Sequence, residues 1–265
     1  MSQESEVPLV FVSAASAAPK DSGPSIVIVR TPEEFRSQLC DPWDGVEWLQ
    51  VEGLLDVPEV WQFAAQRSSE LPLDVVVGDP GAEFSALYRL ADVRIVRPVR
   101  VTIPTVPGLL KAVRVAASLQ LPVRILPEQP SSEAIAELAA AADFYLHDPM
   151  VESPIEYFQS ALAVLLGTGE GHLWSFLEKD PALYVRPDAD ETLHHSEDFV
   201  EAHLRDLIER QAECATCRWQ NLCAGYFKQP DPAYDCSGIK SIFASLETAA
   251  NEINGDLSAS NLAAT

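Results

Sequence analysis

The sequence predicts an α/β protein, a partial or complete (β/α) barrel followed by a small cysteine-rich C-terminal domain. Three observations carry this reading. From Ser25 onward, short apolar runs rich in branched residues alternate with helix-length segments. After Pro149 the strand signal fades and helices dominate, and four of the five cysteines then fall together between Cys214 and Cys236. A repeated strand-then-helix order implies a layered α/β structure, and a barrel is preferred over an open doubly wound sheet. No glycine-rich phosphate loop supports the latter: Gly78-Asp79-Pro80-Gly81 reads as a turn, and Gly167 to Gly171 lacks the spacing and the lysine of a P-loop.

In chain order, residues 1–24, with Ser, Ala and Pro recurring and little periodicity, read as a mobile arm. Strand candidates follow at Ile26–Arg30, Trp48–Val51, Leu73–Val77, Val93–Val96, Arg100–Ile103, Val123–Leu126 and Phe144–Leu146, as near-continuous apolar runs suited to buried parallel strands. Helix starts are marked by Thr31-Pro32-Glu33-Glu34 and Ser153-Pro154-Ile155-Glu156. In each, a hydroxyl precedes a proline at the first helical position and a carboxylate can satisfy free amides. Leu110, Val113, Ala117 and Leu121 share one face of a helix over 107–120. Glu156–Leu166 and Leu173–Lys179 are the clearest later helices. Ser196 is expected to cap an amphipathic helix running to about Ala212, Ile239–Ile253 closes the chain, and the last dozen residues fray. The expected domains are an arm at 1–24, a barrel at 25–195, a cysteine domain at 196–253 and a flexible tail at 254–265.

Composition narrows the function. The chain has 265 residues, 47% of them hydrophobic, enough for a sizeable core. A net charge of −22, from 40 acidic against 18 basic side chains, repels nucleic acid and anionic lipid, so neither is an expected partner. The polar, acidic start and the lack of an apolar run of about eighteen residues predict a cytoplasmic protein with no membrane segment.

The four clustered cysteines have the spacing C-x2-C-x5-C-x12-C. A two-residue gap lets two thiolates converge on one centre, and the later pair close the coordination sphere. Four thiolates suit tetrahedral zinc or a four-iron cluster, and spacing alone does not choose between them. Disulfides are disfavoured without an export signal in a chain of this size.

The segment Cys214-Ala-Thr-Cys217-Arg-Trp-Gln-Asn-Leu-Cys223-Ala-Gly-Tyr226 resembles the C-terminal SPASM domain of radical S-adenosylmethionine (radical SAM) enzymes that modify peptides and proteins. That domain carries two auxiliary four-iron clusters, with a C-x2-C-x5-C-x3-C run and a further cysteine downstream. Phe227 stands at the x3 position here, and no cysteine lies between Cys40 and Cys214. The resemblance therefore implies one complete ligand set, Cys214, Cys217, Cys223 and Cys236, holding one [4Fe–4S] cluster, with the other auxiliary cluster absent. The barrel departs further. The C-x3-C-x2-C motif that holds the catalytic cluster in that family is missing, and Thr31-Pro32-Glu33-Glu34 follows the first strand instead. Val51-Glu52-Gly53-Leu54-Leu55 resembles a decayed form of the family's Gly-Gly-Glu-Pro segment. The resemblance implies a noncatalytic iron–sulfur protein, an electron-transfer or structural partner of a radical SAM enzyme or of its peptide substrate. The alternatives are a stand-alone redox enzyme using the barrel pocket, or a structural zinc protein.

Trp219, Tyr226 and Phe227 could shield the cluster, and Lys228 could offset its negative charge, although ordinary packing and solvation explain them as well. His147-Asp148 is expected to follow a strand and cap a turn, with a pocket role as the alternative. His194-His195 is a poor metal pair, because adjacent strand side chains point apart. His172 lacks an H-E-x-x-H setting, and Cys40 reads as an incidental or buried thiol. Glu52 and Glu128, at strand ends, suit capping or a ligand contact. No acid, base or nucleophile constellation appears, so catalytic residues are expected to be absent.

Overall fold

The computed structural model describes residues 7–16, 23–67, 69–186 and 198–263. Seven parallel strands form one curled sheet: β1 (Leu9–Ser13), β2 (Ser25–Val29), β3 (Val46–Glu52), β4 (Leu73–Val76), β5 (Val99–Pro104), β6 (Val123–Leu126) and β7 (Tyr184–Val185). Their order is β6-β5-β4-β3-β2-β1-β7. From β1 to β6 the spatial order follows the chain without reversal. A doubly wound sheet reverses at a switch point, so this progression marks a singly wound half-barrel.

Helices cover the convex face: α1 (Pro32–Cys40), α2 (Pro58–Ala65), the short α3 (Pro80–Glu83) and α4 (Val93–Val96), α5 (Leu109–Ser118), α6 (Ser132–His147) and α7 (Glu156–Leu166). Local chemistry sets their starts. At α1 the Thr31 hydroxyl accepts from the Glu34 amide, and the Glu34 carboxylate accepts from the Arg30 and Thr31 amides at 2.7 and 3.1 Å. Such a box is worth about 1 kcal/mol. Alternate strand residues point to these helices, so that Val27, Val29, Leu49, Val51, Val75, Val101, Ile103, Val123 and Ile125 join one apolar core. The concave face is different. It holds a small apolar group of Phe11, Ile26 and Ile28 beside Trp48, and then buried polar residues Gln50, Asp74, Arg100, Thr102 and Arg124.

The chain continues through α8 (Leu173–Phe176), α9 (Phe199–Glu209), α10 (Gln220–Cys223) and the long α11 (Ser237–Ala263). Ile239, Ile242, Phe243 and Leu246 of α11 belong to the same core as the strands, and α11 packs on α6 and α7.

Several sequence expectations are corrected. Leu9–Ser13 is a strand rather than part of a mobile arm, because β2 and β7 pair with it on both sides and Phe11 is buried. Val93–Val96 is a helical turn with Val93 inside and Ile95 exposed. Phe144–Leu146 prolongs the alanine-rich α6, whose strong helix formers carry through it. Ser153-Pro154 does not open α7. The Pro154 carbonyl accepts from the Val123 amide at 2.9 Å, extending the sheet edge, and the helix starts after Ile155. The tail is helical to Ala263, although every residue from Asn251 to Ala259 is exposed. Ser196 lies outside the described residues.

Candidate metal centre

Three short segments bring the four cysteines to one place. A 3-10 turn at Glu213–Thr216 carries Cys214, whose carbonyl accepts from the Cys217 amide at 3.2 Å. Cys223 ends α10, and Cys236 immediately precedes α11, its carbonyl accepting from the Lys240 amide at 2.8 Å. All four thiols line one small cavity with Glu213, Phe227, Lys228, Ile239, Lys240 and Phe243. Among the described residues, no three Cys, His, Asp or Glu side chains gather about a single point as a lone metal ion requires.

The turn after Cys223 is built to face it. Ala224 and Gly225 are both left-handed, at φ 47° and 74°, so the chain reverses at once. The amides of Phe227 and Tyr226 then lie within hydrogen-bonding reach of the Cys223 sulfur and favour its thiolate. The turn's carbonyls are satisfied from the neighbouring helices: Trp174 Nε1 donates to Ala224 O at 2.9 Å, and His203 Nε2 lies 3.2 Å from Gly225 O. Glycine suits position 225, where the backbone is left-handed and a Cβ would come within 2.8 Å of Leu207 Cδ1 and 3.2 Å of His203 Cδ2.

Burial dominates the electrostatics of Cys214, Cys223 and Cys236. It pushes Cys223 up to about 11 and Cys236 up to about 12, and it raises Cys214 as well. Without a cation in the cavity these groups stay protonated at neutral pH, so metal binding displaces their protons. The adjacent carboxylate behaves oppositely. Burial opposes ionisation of Glu213, yet hydrogen bonds from Lys228, Lys240 and the Cys236 amide outweigh it and hold the group at about 2. Lys240 Nζ lies 2.5 Å from Glu213 Oε2, and Lys228 Nζ lies 2.6 Å from Oε1 and also donates to the Tyr234 carbonyl.

The site is tied to the barrel. Gln129, in the loop after β6, donates to the carbonyls of Phe227 and Asp231 at 3.0 and 2.8 Å, and the Tyr234 hydroxyl donates to Pro130 O at 2.9 Å. Of the expected aromatic shield, Phe227 lines the cavity and Trp219 packs behind it on Phe243, with ring centroids 6.0 Å apart. Tyr226 packs instead on Trp174 at 5.1 Å, beneath Lys179.

The other sequence candidates take structural places. His147 sits on the last turn of α6, exposed, 3.1 Å from Asp143 Oδ1, and does not follow a strand; Asp148 caps the next turn through the Met150 amide. Cys40 is exposed at the end of α1. Glu52 accepts from Arg30 at 2.9 Å and from Gln50 at 2.6 Å. Glu128 pairs with Lys179 at 3.1 Å. His172 begins α8, 3.7 Å from Asp180, while His194 and His195 lie outside the described residues.

Sequence reasoning missed the barrel interior. Asp74 accepts from Arg100 Nη2 at 3.1 Å, Arg124 Nη2 at 3.0 Å and Thr102 Oγ1 at 2.6 Å. Both arginines reach on to Glu178, and Arg100 also lies 3.6 Å from Glu156. The guanidinium of Arg100 stacks over Trp48 at 4.3 Å. The signal was present as single charges at alternating positions within otherwise apolar strands. Glu213 and Lys240 were also missed, though one precedes Cys214 and the other follows Cys236 by one helical turn.

The half-barrel has counterparts among solved structures. Native anSMEcpe with bound AdoMet, a radical SAM SPASM-domain sulfatase-maturating enzyme, aligns over 93% of this chain and 100% of its own, with a TM-score of 0.53 and 13% identity. Native anSMEcpe with bound AdoMet and Cp18Cys peptide aligns over the same shares at 0.51 and 13%. The likeness is one of fold. No family model and no curated protein matches the sequence. Among the described residues, no helix is long and apolar enough to cross a membrane.

Proposed function

We propose that this chain is a noncatalytic iron–sulfur protein holding a single [4Fe–4S] cluster on Cys214, Cys217, Cys223 and Cys236. Its proposed role is that of an electron-transfer or structural partner of a radical SAM enzyme that modifies peptides or proteins. The observation that carries the reading is the set of four thiols around one cavity, attached to a half-barrel that has the fold of such enzymes but lacks the C-x3-C-x2-C motif.

The donor set fits the group. Four thiolates lining one cavity can each take one iron of a polynuclear core, and the same set could hold a single zinc at about 2.3 Å, so metal analysis decides between the two. When bound, such a cluster supplies one-electron transfer. The chain's own residues hold the sulfurs in place, direct the Phe227 and Tyr226 amides at Cys223, and exclude water with Phe227, Ile239 and Phe243. The proposed domain division is a barrel that takes in β1 together with residues 25–195, and a cysteine domain at 196–253, with the barrel's concave face filled by the Asp74, Arg100, Arg124 and Glu178 network.

Anaerobic purification with metal analysis tests the cluster. Brown protein with about four irons and four sulfides per chain is expected, and stoichiometric zinc without sulfide refutes it. Copurification with a C-x3-C-x2-C protein tests the partner role. Turnover of S-adenosylmethionine to 5′-deoxyadenosine by the chain alone, surviving removal of contaminating enzymes, refutes the noncatalytic reading.

A further inference from the structure

Glu213, Lys228 and Lys240 form a compact group on the wall of the cysteine cavity. One carboxylate serves three donors from three segments. Its Oε1 lies 2.6 Å from Lys228 Nζ and 3.3 Å from the Cys236 amide nitrogen, and its Oε2 lies 2.5 Å from Lys240 Nζ. Lys228 is 5% exposed, an unusual place for an ammonium, and its remaining described partner is the neutral Tyr234 carbonyl. The nearby Asp235 faces solvent and binds Ser237.

The charges do not balance. Two ammoniums share one carboxylate, so one positive charge is left at the cavity wall. A buried charge persists when something of opposite sign compensates it. The cavity offers four sulfurs, each of which becomes a thiolate on metal binding. A four-thiolate iron–sulfur cluster is itself a net anion and gains a further negative charge on reduction, so a nearby positive charge favours the reduced state.

We infer that Glu213 is a positioning residue that clamps Lys228 and Lys240 against the cysteine cavity and sets the charge facing the bound group, and hence its readiness to accept an electron. This rests on the cluster reading above. Glu213 does two opposed things: it holds the lysines in place, and it cancels part of their charge.

The opposition gives a test that a merely structural hub does not pass. The full chain and its Glu213→Gln and Lys240→Met variants are purified anaerobically, analysed for iron and sulfide, and titrated with mediated reductant while the reduced cluster is followed by electron paramagnetic resonance. Glu213→Gln removes the negative charge and is expected to shift the potential upward. Lys240→Met removes a positive charge and, in iron-replete protein, is expected to shift it downward. Lys240 lies on the partly exposed first turn of α11, and iron and sulfide analysis of its variant shows that the site is loaded before the potential is read, so it decides the matter even where Glu213→Gln loses iron. An iron-replete Lys240→Met protein with an unchanged or raised potential overturns the inference and leaves the cluster standing. Native protein without iron and sulfide overturns both.

Discussion

Replacing Asp74 with Asn tests the barrel interior. The carboxylate is fully buried and faces Arg100, Arg124 and Thr102 at 3.1, 3.0 and 2.6 Å. Asparagine keeps the shape and one acceptor but removes the charge that both guanidiniums meet. Each pair is worth about 4 kcal/mol by Coulomb's law at an effective dielectric constant near 20, before desolvation is subtracted. Breaking a buried pair from one side leaves the partner charge uncompensated and costs about 3–5 kcal/mol. Glu178 still reaches both arginines, which keeps the loss within that range rather than at twice it. Against a total stability of about 5–15 kcal/mol this is a large fraction. For a chain of this size it corresponds to a fall in Tm of about 6–20 °C. Circular dichroism melts of native and Asp74→Asn protein, loaded with metal to the same extent, make the comparison. A second arm adds Arg124→Met, which removes one stranded guanidinium and is expected to cost less in the Asp74→Asn background than alone. A Tm within about 2 °C of native for Asp74→Asn, or strict additivity with Arg124→Met, refutes the account.

The same residue gives a pH dependence. Burial tends to raise the Asp74 pKa, but Arg124, Arg100 and the Thr102 hydroxyl outweigh it and hold it below the ordinary aspartate value of 3.8. Its contribution is therefore complete above that value and is lost as pH falls through the lower folded value, so the native chain should lose more stability on acidification below pH ~4 than Asp74→Asn does. Gly225→Ala is expected to cost about 1–2 kcal/mol for the left-handed backbone alone, more with the Leu207 contact, read as a lowered Tm and weaker metal retention. Alanine at Cys214, Cys217, Cys223 or Cys236 should remove iron, whereas Cys40→Ala should leave iron content unchanged; iron loss in the Cys40 variant would show that the ligand set is wrong.

Much of the sheet was legible because its strands read as apolar runs bounded by turns. Five of the candidate runs, from Ile26–Arg30 to Val123–Leu126, lie on observed strands. Leu9–Ser13 was not recognised because its stability comes from β2 and β7, distant in sequence, rather than from its Ser- and Pro-rich surroundings. Phe144–Leu146 was misassigned for the converse reason: three apolar residues carry no period of their own, and the Ala-rich turns before them decide. At the cysteine site, spacing was sufficient to group the ligands. It could not foretell that Glu213 and Lys240, some 27 positions apart, would meet, because that contact depends on how α11 docks. The interior arginines and acids were visible as isolated charges, but only the sheet order shows that they converge on one face.

The way α11 completes the core bears on how the protein is made. Strands β1 to β6 and their helices emerge from the ribosome first, at about 5–20 residues per second. Until the last third of the chain follows, β1 lacks β7 along one edge, and α6 and α7 lack the apolar side of Ile239, Ile242, Phe243 and Leu246. The nascent half-barrel thus displays an open strand edge and an uncovered greasy flank for many seconds. Ribosome-bound chains ending before Ser237 should accordingly bind holdase chaperones more strongly than the finished protein does.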